Sequence, residues 1–394
     1  MAAPQGNVLV FQSGGVTPVI NQSLAGVVSA SLGSGRVDAV YGAVHGLEGL
    51  LAEQFKDLGR LSKRQLSTVA RTPGAVLGSA RRRLRAEETE KALSVLKRMD
   101  VRYLFPIGGN DSAETAHRLA LGAQSAGQDL RIVAVPKTVD NDLPEMDHCP
   151  GYGSAARFVA LATMGAGRDA ESMGEASPVT ILEVMGRNAG WLAAAAVLGK
   201  REERDAPHVV CFPEHVFDED AFMTRMEDAY RRWGFALAVV NENLKGPGGP
   251  LGHQGEPLYV DDFGHPYYQS PAQYLAGRLS KHLRVRVRAE KPGTIQRSLV
   301  PCISSADASE AHMAGAAAVK RALDGQTDVM VTLLRANTPT YRCETGVAPL
   351  EAIAAKERLL PAEYMDVASA LPTPAFVRYA RPLIGAPLPR FGRV

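Results

Sequence analysis

Residues 131–142 read RIVAVPKTVDND, and this stretch indicates the fold class. Its first half is an apolar run in which Ile132, Val133 and Val135 are β-branched, as is typical of a strand buried in a parallel sheet. Pro136 cannot donate to a strand ladder, so the strand is expected to end there and KTVDND to form a loop. Ligands of open α/β sheets bind at that carboxyl end of the strands. The loop is therefore either a solvated turn or part of a binding site.

Short β-rich runs alternate with alanine-rich helical stretches along the rest of the chain. The strand-like runs include NVLVF (7–11), VRYLFPI (101–107) and PVTILEV (178–184). This alternation predicts βα units and an α/β fold with doubly wound parallel sheets. Because there are more such units than one sheet comfortably holds, two stacked Rossmann-like domains are expected.

The expected domains are discontinuous in sequence. The first comprises residues 1–150 and about 296–345, and the second comprises 151–295 and about 346–394. Residues 245–282 begin with the glycine- and proline-rich KGPGGPLGHQGEP and are interpreted as a surface insertion. The proline-rich tail from Leu371 onward is expected to run over the surface.

Composition excludes several classes of protein. The 394 residues are 45% hydrophobic and 22% charged, which is ordinary for a globular protein. The net charge of +2 shows no bias toward nucleic acid or membrane. The amino-terminal apolar run VLVF is too short for a signal peptide, and no segment approaches the roughly 18 apolar residues of a membrane span. The sequence thus predicts a cytoplasmic protein without nucleic-acid or membrane partners.

The cysteines and histidines show no metal-binding spacing. Cys149, Cys211, Cys302 and Cys343 lie far apart and form no CxxC pair, so reduced thiols are expected. The nine histidines include no HExxH motif and no His–Cys pair at zinc-ligand spacing. The sequence therefore predicts no zinc site.

Two glycine pairs directly follow predicted strands. Gly14–Gly15 and Gly108–Gly109 each precede a helical stretch, a placement that lets backbone N–H groups and a helix N-terminus approach an anion. A tight turn alone would also require these glycines. Asn110 and Asp111 begin the second helix, where N-capping is the simplest explanation. Together with Lys137 and the loop aspartates, these features suit a polyphosphate bridged by Mg²⁺.

Arginines mark three further stretches. MGRNAGW offers Arg187 as a fork-shaped donor, and RVRVRAE places Arg284, Arg286 and Arg288 at a spacing of two, which on a strand gives one face suited to phosphate. In ARRRLR, a phosphate-facing Arg81 with solvated neighbours is favoured over a nucleic-acid patch.

Several of these motifs together resemble the phosphofructokinases. GGNDS, PKTVDND, MGRNAGW, Pro213–Glu214, the glutamate of VVNEN and GTIQR occur in that family's order and spacing from about residue 7 to about 345. The resemblance implies the phosphofructokinase fold, Mg²⁺ as cofactor and fructose 6-phosphate as substrate. ATP-using members typically have glycine in place of Asp111, and many have glycine in place of Lys137. The chain resembles the pyrophosphate-dependent branch, which implies pyrophosphate as donor and a homodimer as the assembly.

The resemblance also implies residue roles. Asp140 would be the general base for the sugar 1-hydroxyl. The implied catalytic residues are Asp140, Lys137, Asp111 and Arg187. The implied sugar-phosphate contacts are Thr138, Asp140, Met185, Gly186, Arg187, Glu242, Arg297 and, across a subunit interface, Arg288. The implied diphosphate contacts are Gly14, Gly15, Arg81 and Lys137, and the implied metal contacts are Asn110 and Asp142.

Two other functions are compatible with the same fold. An ATP-dependent 6-phosphofructokinase or related sugar-phosphate kinase is disfavoured by Asp111. A non-catalytic sugar-phosphate-binding subunit with a relic site is disfavoured because Asp140 stands in an intact PKTVDND motif. Asn110 departs from the aspartate that the family usually places there as a magnesium contact.

Overall fold

The computed structural model describes residues 5–251, 257–260, 264, 266–267 and 269–394. The strands are β1 Gly6–Gln12, β2 Val37–Ala43, β3 Phe55–Asp57, β4 Val101–Gly108, β5 Arg131–Pro136, β6 Val179–Val184, β7 Val209–Cys211, β8 Ala236–Asn241, β9 Lys245–Gly246, β10 Gly249–Pro250, β11 Tyr259–Val260, β12 Pro266–Tyr267, β13 Val287–Glu290, β14 Val329–Arg335, β15 Cys343–Pro349, β16 Met365–Asp366 and β17 Leu371–Pro372. The helices are α1 Ile20–Gly33, α2 Leu47–Leu51, α3 Lys63–Ala70, α4 Thr89–Arg98, α5 Asn110–Ser125, α6 Tyr152–Met173, α7 Trp191–Ala195, α8 Glu219–Trp233, α9 Pro271–Leu283, α10 Ser305–Leu323, α11 Leu350–Ile353 and α12 Pro374–Ala380. Short 3₁₀ segments lie at Ala86–Glu88, Gly174–Ala176, Ala196–Gly199, Gly293–Arg297, Val300–Cys302 and Ala362–Tyr364.

The chain forms two compact units. The first comprises residues 1–151 and 306–358, and the second comprises 152–305 and 359–394. The second segment of the first unit was expected to begin near residue 296 and to end near 345, whereas it begins at 306 and ends at 358. The 3₁₀ segment Gly293–Arg297 belongs to the second unit, and the first unit continues beyond β15 through α11 to Arg358.

The first unit contains a seven-stranded sheet in the order β15-β14-β5-β4-β1-β2-β3. Its interior strands pair in parallel, as predicted, whereas the edge strands β15 and β3 are antiparallel to their neighbours. Leu9 and Phe11 pack into the core on one face of the sheet, and Val8 and Val10 pack into the core on the other. This burial on both faces explains why the strand sequences are continuous apolar runs.

The second unit contains a four-stranded parallel sheet in the order β13-β6-β8-β7. Helix α9 packs Leu275 and Leu279 into its core, so the prediction that residues 271–282 belong to a surface insertion is wrong. The helix begins with Ser270 as N-cap and Pro271 in its first turn. Both are helix-start signals, and the prediction of an insertion did not take them into account. The predicted insertion also includes residues 252–256, 261–263, 265 and 268, which lie outside the described residues.

The first part of the carboxyl-terminal tail packs into the second unit's core, although the whole tail was expected to run over the surface. Phe376 and Leu383 are buried, and the ring of Tyr379 lies 5.3 Å from that of Trp191 between centroids. The prolines that suggested an irregular segment instead begin a helix, since Pro374 occupies the first turn of α12.

The sequence predicted reduced cysteines and no membrane-spanning segment. All four cysteines are free thiols, as predicted. Within the described ranges, no helix combines the length and the hydropathy that crossing a membrane requires.

Candidate active site

The loop after β5 turns sharply between its two central aspartates. The strand ends at Pro136, as predicted, and the Thr138 hydroxyl accepts a hydrogen bond from the Asp140 N–H at 3.1 Å. Asn141 has a left-handed backbone with φ of 58°, which asparagine tolerates better than most residues. Its side-chain oxygen accepts from the Cys149 N–H at 2.9 Å. The turn is therefore fixed by its own side chains.

Arg358 braces this loop from the other segment of the first unit. Its backbone N–H donates to the Asp142 carbonyl at 2.7 Å, and its guanidinium donates to the carbonyls of Asn141 at 2.9 Å and Asp147 at 2.6 Å. A further guanidinium bond reaches the Met146 carbonyl. Sequence reasoning missed this residue because it lies 217 positions from Asn141 and belongs to no motif.

Lys137 and the first glycine pair come together in the structure. The Lys137 side chain is 4% exposed, and its Nζ donates to the Gly15 carbonyl at 2.5 Å. Gly14 has φ of 76°, and a Cβ atom there would lie 3.3 Å from that Nζ. The Gly14 N–H donates to the Ala80 carbonyl at 3.0 Å. This bond holds the segment that leads into Arg81 beside the glycine turn. A buried positive charge thus lies beside a glycine turn.

Asp111 lies in the first turn of α5, where a negative charge interacts favourably with the helix dipole. The N-cap is Gly109, with no side-chain cap bond, so N-capping does not explain the acidic residue. Arg83 donates from Nη2 to Asp111 Oδ1 at 3.0 Å. Arg82 pairs with Glu88 in the same segment. Arg83 is 52% exposed, so this neighbour of Arg81 is solvated, as expected, and also forms an ion pair.

The two side chains implied as metal contacts, Asn110 and Asp142, follow two adjacent strands of the sheet. Lys137 N–H donates to the Gly108 carbonyl at 3.0 Å, so the loop after β5 and the start of α5 share one edge of the sheet. Asp142 is 2% exposed, and the Asn110 amide nitrogen donates to the Lys356 carbonyl at 2.5 Å, which leaves the amide oxygen to act as a ligand. A carboxylate and an amide oxygen fit Mg²⁺, which binds few protein oxygens together with phosphate and water.

In the second unit, the Met185–Arg187 loop is held by the partly buried side chain of Glu242 and the buried side chain of Gln296. Glu242 Oε1 accepts from the Gly186 and Arg187 N–H groups at 3.3 Å each, and Gln296 Oε1 accepts from the Met185 N–H at 3.1 Å. Burial raises the pKa of Glu242 above its ordinary value. Glu242, implied as a substrate contact, thus positions the loop, and Gln296 does the same from within the GTIQR motif.

The loop requires glycine at position 186. Gly186 has φ of 145°, and a Cβ atom there would lie 2.6 Å from both the Ala189 carbonyl and Asn241 Nδ2. Arg187 follows with a left-handed φ of 51°. The MGR motif therefore encodes a backbone shape as well as an arginine.

Glu214, from the Pro213–Glu214 motif, occupies a similar supporting position. Its Oε1 accepts from the N–H groups of Gly190 and Leu360 at 2.8 Å each. Burial raises the pKa of Glu214. Within the described chain, its Oε2 is buried without a hydrogen-bond partner, which leaves an acceptor for a ligand hydroxyl.

The arginines predicted to share a strand face do not do so. Arg284 is the left-handed C-cap of α9, and β13 begins only at Val287. Arg288 lies on β13 and forms an ion pair with Asp169 of α6. Arg297 ends the 3₁₀ segment Gly293–Arg297.

Comparison with known proteins gives concordant matches. The family model described as phosphofructokinase matches residues 7–322. The chain is 38% identical over 391 residues to the pyrophosphate–fructose 6-phosphate 1-phosphotransferase of Rhodospirillum rubrum, covering 98% of this chain and 96% of that protein. It is 33% identical over 360 residues to the sulfofructose kinase of Alkalicoccus urumqiensis, covering 91% and 92%. The solved structure of pyrophosphate-dependent phosphofructokinase from Nitrosospira multiformis is similar, with a TM-score of 0.88, 34% identity, and coverage of 98% of this chain and 94% of that one.

Proposed function

The chain belongs to the phosphofructokinase family, and we propose that it transfers a phosphoryl group reversibly from pyrophosphate to the 1-hydroxyl of fructose 6-phosphate. The products are fructose 1,6-bisphosphate and phosphate. The observation that carries the choice of donor is the carboxylate of Asp111, fixed by Arg83 at the start of α5, where ATP-using relatives typically have glycine.

The donor side of the reaction is assigned to the first unit. Lys137 and Arg81 would bind pyrophosphate through their side-chain charges, and the turn at Gly14 and Gly15 would let the anion approach the backbone closely. Asp111 would oppose the additional phosphate of a longer donor by a few kcal/mol at close range and an effective dielectric of about 20. Arg83 offsets part of the negative charge of Asp111. The volume that the two side chains occupy would also exclude a longer donor. Discrimination thus combines an attractive and a repulsive element.

Mg²⁺ is the proposed cofactor, with Asn110 and Asp142 as its protein contacts. When bound, the ion spreads the charge that develops on the transferring phosphoryl group. Asp140 acts as the general base and accepts the proton of the sugar 1-hydroxyl, a contribution of roughly 10²–10⁴-fold. Lys137 stabilises negative charge on the donor phosphates, and Arg358 holds the loop that carries Asp140.

Thr138 and Asp140 are assigned to contact the sugar. Arg187 and Arg297 would bind the 6-phosphate, with the Met185–Gly186 backbone presented by Glu242 and Gln296. Arg288 would reach a sugar phosphate across the interface of a homodimer after exchanging its present partner, Asp169. The proposed location of the enzyme is the cytoplasm, in keeping with four free thiols.

The assay that tests this function uses purified protein, Mg²⁺ and fructose 6-phosphate with either pyrophosphate or ATP. We expect kcat/KM for pyrophosphate to exceed that for ATP by at least about 10³-fold, which corresponds to roughly 4 kcal/mol. Asp111→Gly should raise ATP use and lower pyrophosphate use, and adding Lys137→Gly should depress pyrophosphate use further. A wild type that prefers ATP, or a donor ratio indifferent to Asp111, would exclude pyrophosphate as the selected donor.

Sulfofructose is the competing sugar to include, because one extensively matching relative is named a sulfofructose kinase. Faster turnover of sulfofructose than of fructose 6-phosphate would reassign the sugar substrate while leaving the donor assignment intact. Arg187→Ala and Arg297→Ala should each weaken binding of the sugar phosphate by about 1.5–3 kcal/mol, because each removes a charge-assisted contact.

A further inference from the structure

A cluster of metal-ligand side chains lies in the first unit, outside the residues assigned to the reaction. We propose that His148, Glu310 and Cys343 form a site for a divalent transition metal of the zinc type. The three residues belong to the loop segment after β5, to helix α10 and to strand β15. Because His148 and Glu310 are 162 positions apart, no sequence motif reports the site.

The ligand atoms are close enough to share one ion. His148 Nε2 lies 2.8 Å from Glu310 Oε2, and one ligand atom from each of the three residues lies within 4.8 Å of the others. Zinc bonds of about 2.0–2.3 Å in a tetrahedron separate ligand atoms by about 3.3–3.8 Å. Occupation therefore requires the imidazole and carboxylate to part slightly and the sulfur to approach by up to about 1.3 Å.

Two of the ligands are already oriented by outer partners. His148 Nδ1 lies 2.8 Å from Asp147 Oδ1, and Arg335 in turn pairs with Asp147 at 3.2 Å. Glu310 Oε1 accepts from the Tyr341 hydroxyl at 2.6 Å. A histidine whose second nitrogen meets a carboxylate is the usual arrangement at zinc sites, since it fixes the ring and aims the other nitrogen at the metal.

Charge and access also favour a metal. His148 is 2% exposed and Glu310 is 7% exposed, whereas Cys343 is partly exposed and gives an ion a route from solvent. On binding an ion, the His148 ring would release the proton that it shares with Glu310, and one thiolate and one carboxylate would then balance a charge of +2, while Arg335 pairs with Asp147. A water molecule would complete four-coordination, and the Tyr341 hydroxyl would remain the outer partner of Glu310.

The site would connect three separate segments of the first unit. His148 lies in the segment that Arg358 braces through the Asp147 carbonyl. An ion bound only in the folded state stabilises that state, so zinc should raise the melting temperature of the full chain.

The test uses the untagged full-length protein after removal of metals with a chelator. Zn²⁺ is titrated in competition with a chromophoric chelator, and Co²⁺ is bound separately to detect the charge-transfer absorption of a thiolate ligand. We expect one tight ion per chain, a thiolate band with Co²⁺ and a higher melting temperature with Zn²⁺. These three readouts require no variant and are independent of catalytic activity.

Variants then locate the ion. Cys343→Ser should abolish the thiolate band and lower the affinity for Zn²⁺ by about 100-fold, whereas the matched control Cys302→Ser should change neither. Tyr341→Phe, which keeps the ring but frees Glu310 Oε1, should lower the affinity by about 10-fold. Failure of the wild type to retain stoichiometric zinc, or equal affinity in the Cys343→Ser protein, would overturn the proposal. Neither outcome bears on which phosphoryl donor the enzyme uses.

Discussion

The guanidinium of Arg83 lies 3.0 Å from the carboxylate of Asp111, in a pair whose side chains are 52% and 18% exposed. A half-solvated ion pair contributes little to folding, typically about 0–1 kcal/mol. Its effect is therefore expected on the binding of anionic donors rather than on stability. The same segment supplies a matched pair in Arg82 and Glu88.

Arg83→Ala should raise the KM for pyrophosphate about three- to tenfold, because the Asp111 carboxylate then loses the compensating charge of this guanidinium and its repulsion of the anionic donor grows by roughly 1 kcal/mol. Arg82→Ala should leave this KM unchanged. In an Asp111→Asn background the effect of Arg83→Ala should shrink, as measured by a double-mutant cycle of steady-state kinetics. Equal effects in both backgrounds would show that Arg83 acts on the donor directly.

Asp140→Ala should lower kcat by at least about 10²-fold and leave the affinity for fructose 6-phosphate within severalfold, since a general base acts mainly in the transition state. Turnover assays and calorimetric binding measure the two quantities. Asp129→Asn, at a carboxylate that is 44% exposed, serves as the control and should match the wild type. Unchanged turnover in the Asp140 variant would remove it from the mechanism.

Arg358→Ala should reduce both stability and kcat. The variant loses charge-assisted bonds to the carbonyls of Asn141, Met146 and Asp147, and the cost should be at least about 1.5–3 kcal/mol. Arg342→Ala removes an ion pair whose arginine is 69% exposed and should cost less than about 1 kcal/mol. Thermal melting and turnover of both variants provide the comparison, and a stable, fully active Arg358 variant would refute the bracing role.

Gly186→Ala should weaken sugar-phosphate binding at least about tenfold, because the new Cβ would lie 2.6 Å from two polar atoms at a φ of 145°. Displacing the loop moves Arg187 as well. Gly277→Ala adds a Cβ within α9 that, beyond the helix's own backbone and the chain neighbours, meets no atom of the described residues within 4 Å, and it should stabilise the protein by up to about 1 kcal/mol. Calorimetry measures the affinity of each variant for the sugar phosphate, and thermal melting measures its stability. Equal sugar-phosphate affinity in both variants would contradict a requirement for glycine at position 186.

Glu242→Gln should change how stability depends on pH. Burial raises the pKa of Glu242 in the folded state above its ordinary value of 4.5, so between these pKa values the folded chain holds more protons than the unfolded chain. Stability of the wild type is therefore lost as pH rises through this window. Glutamine keeps the acceptor for the Gly186 and Arg187 N–H groups without the charge.

The melting temperature of the Glu242→Gln protein should accordingly rise relative to wild type as pH increases from about 4.5 toward 8. Glu290→Gln, at an exposed glutamate of the same unit, controls for loss of a surface charge. A difference between wild type and Glu242→Gln that stays constant with pH would show that the buried carboxylate carries no such cost.

Sequence patterns predicted the parts of the fold that depend on local chemistry. RIVAVP became β5 and NVLVF lies in β1, because strands buried on both faces leave continuous apolar runs. The glycine pairs, Lys137 and the two aspartates were located at strand ends because α/β sheets place loops there. Helix α9 was missed because the predicted insertion, which begins in a glycine-rich segment, was extended through residues that form the helix. The antiparallel pairing of the edge strand β15 was not predicted, because it depends on which strand lies beside it in the fold.

The sequence by itself determined the family, the alternation of strands and helices around the glycine pairs and the PKTVDND loop, and the motifs to which catalytic roles are assigned, since each is carried by neighbouring residues. Tertiary structure alone decided that Arg358 braces the loop of Asp140, that Arg83 pairs with Asp111, and that His148, Glu310 and Cys343 converge. These contacts join residues whose separation along the chain bears no relation to their distance in space. Packing of the sheet and its helices brings them together, and no local pattern encodes that packing.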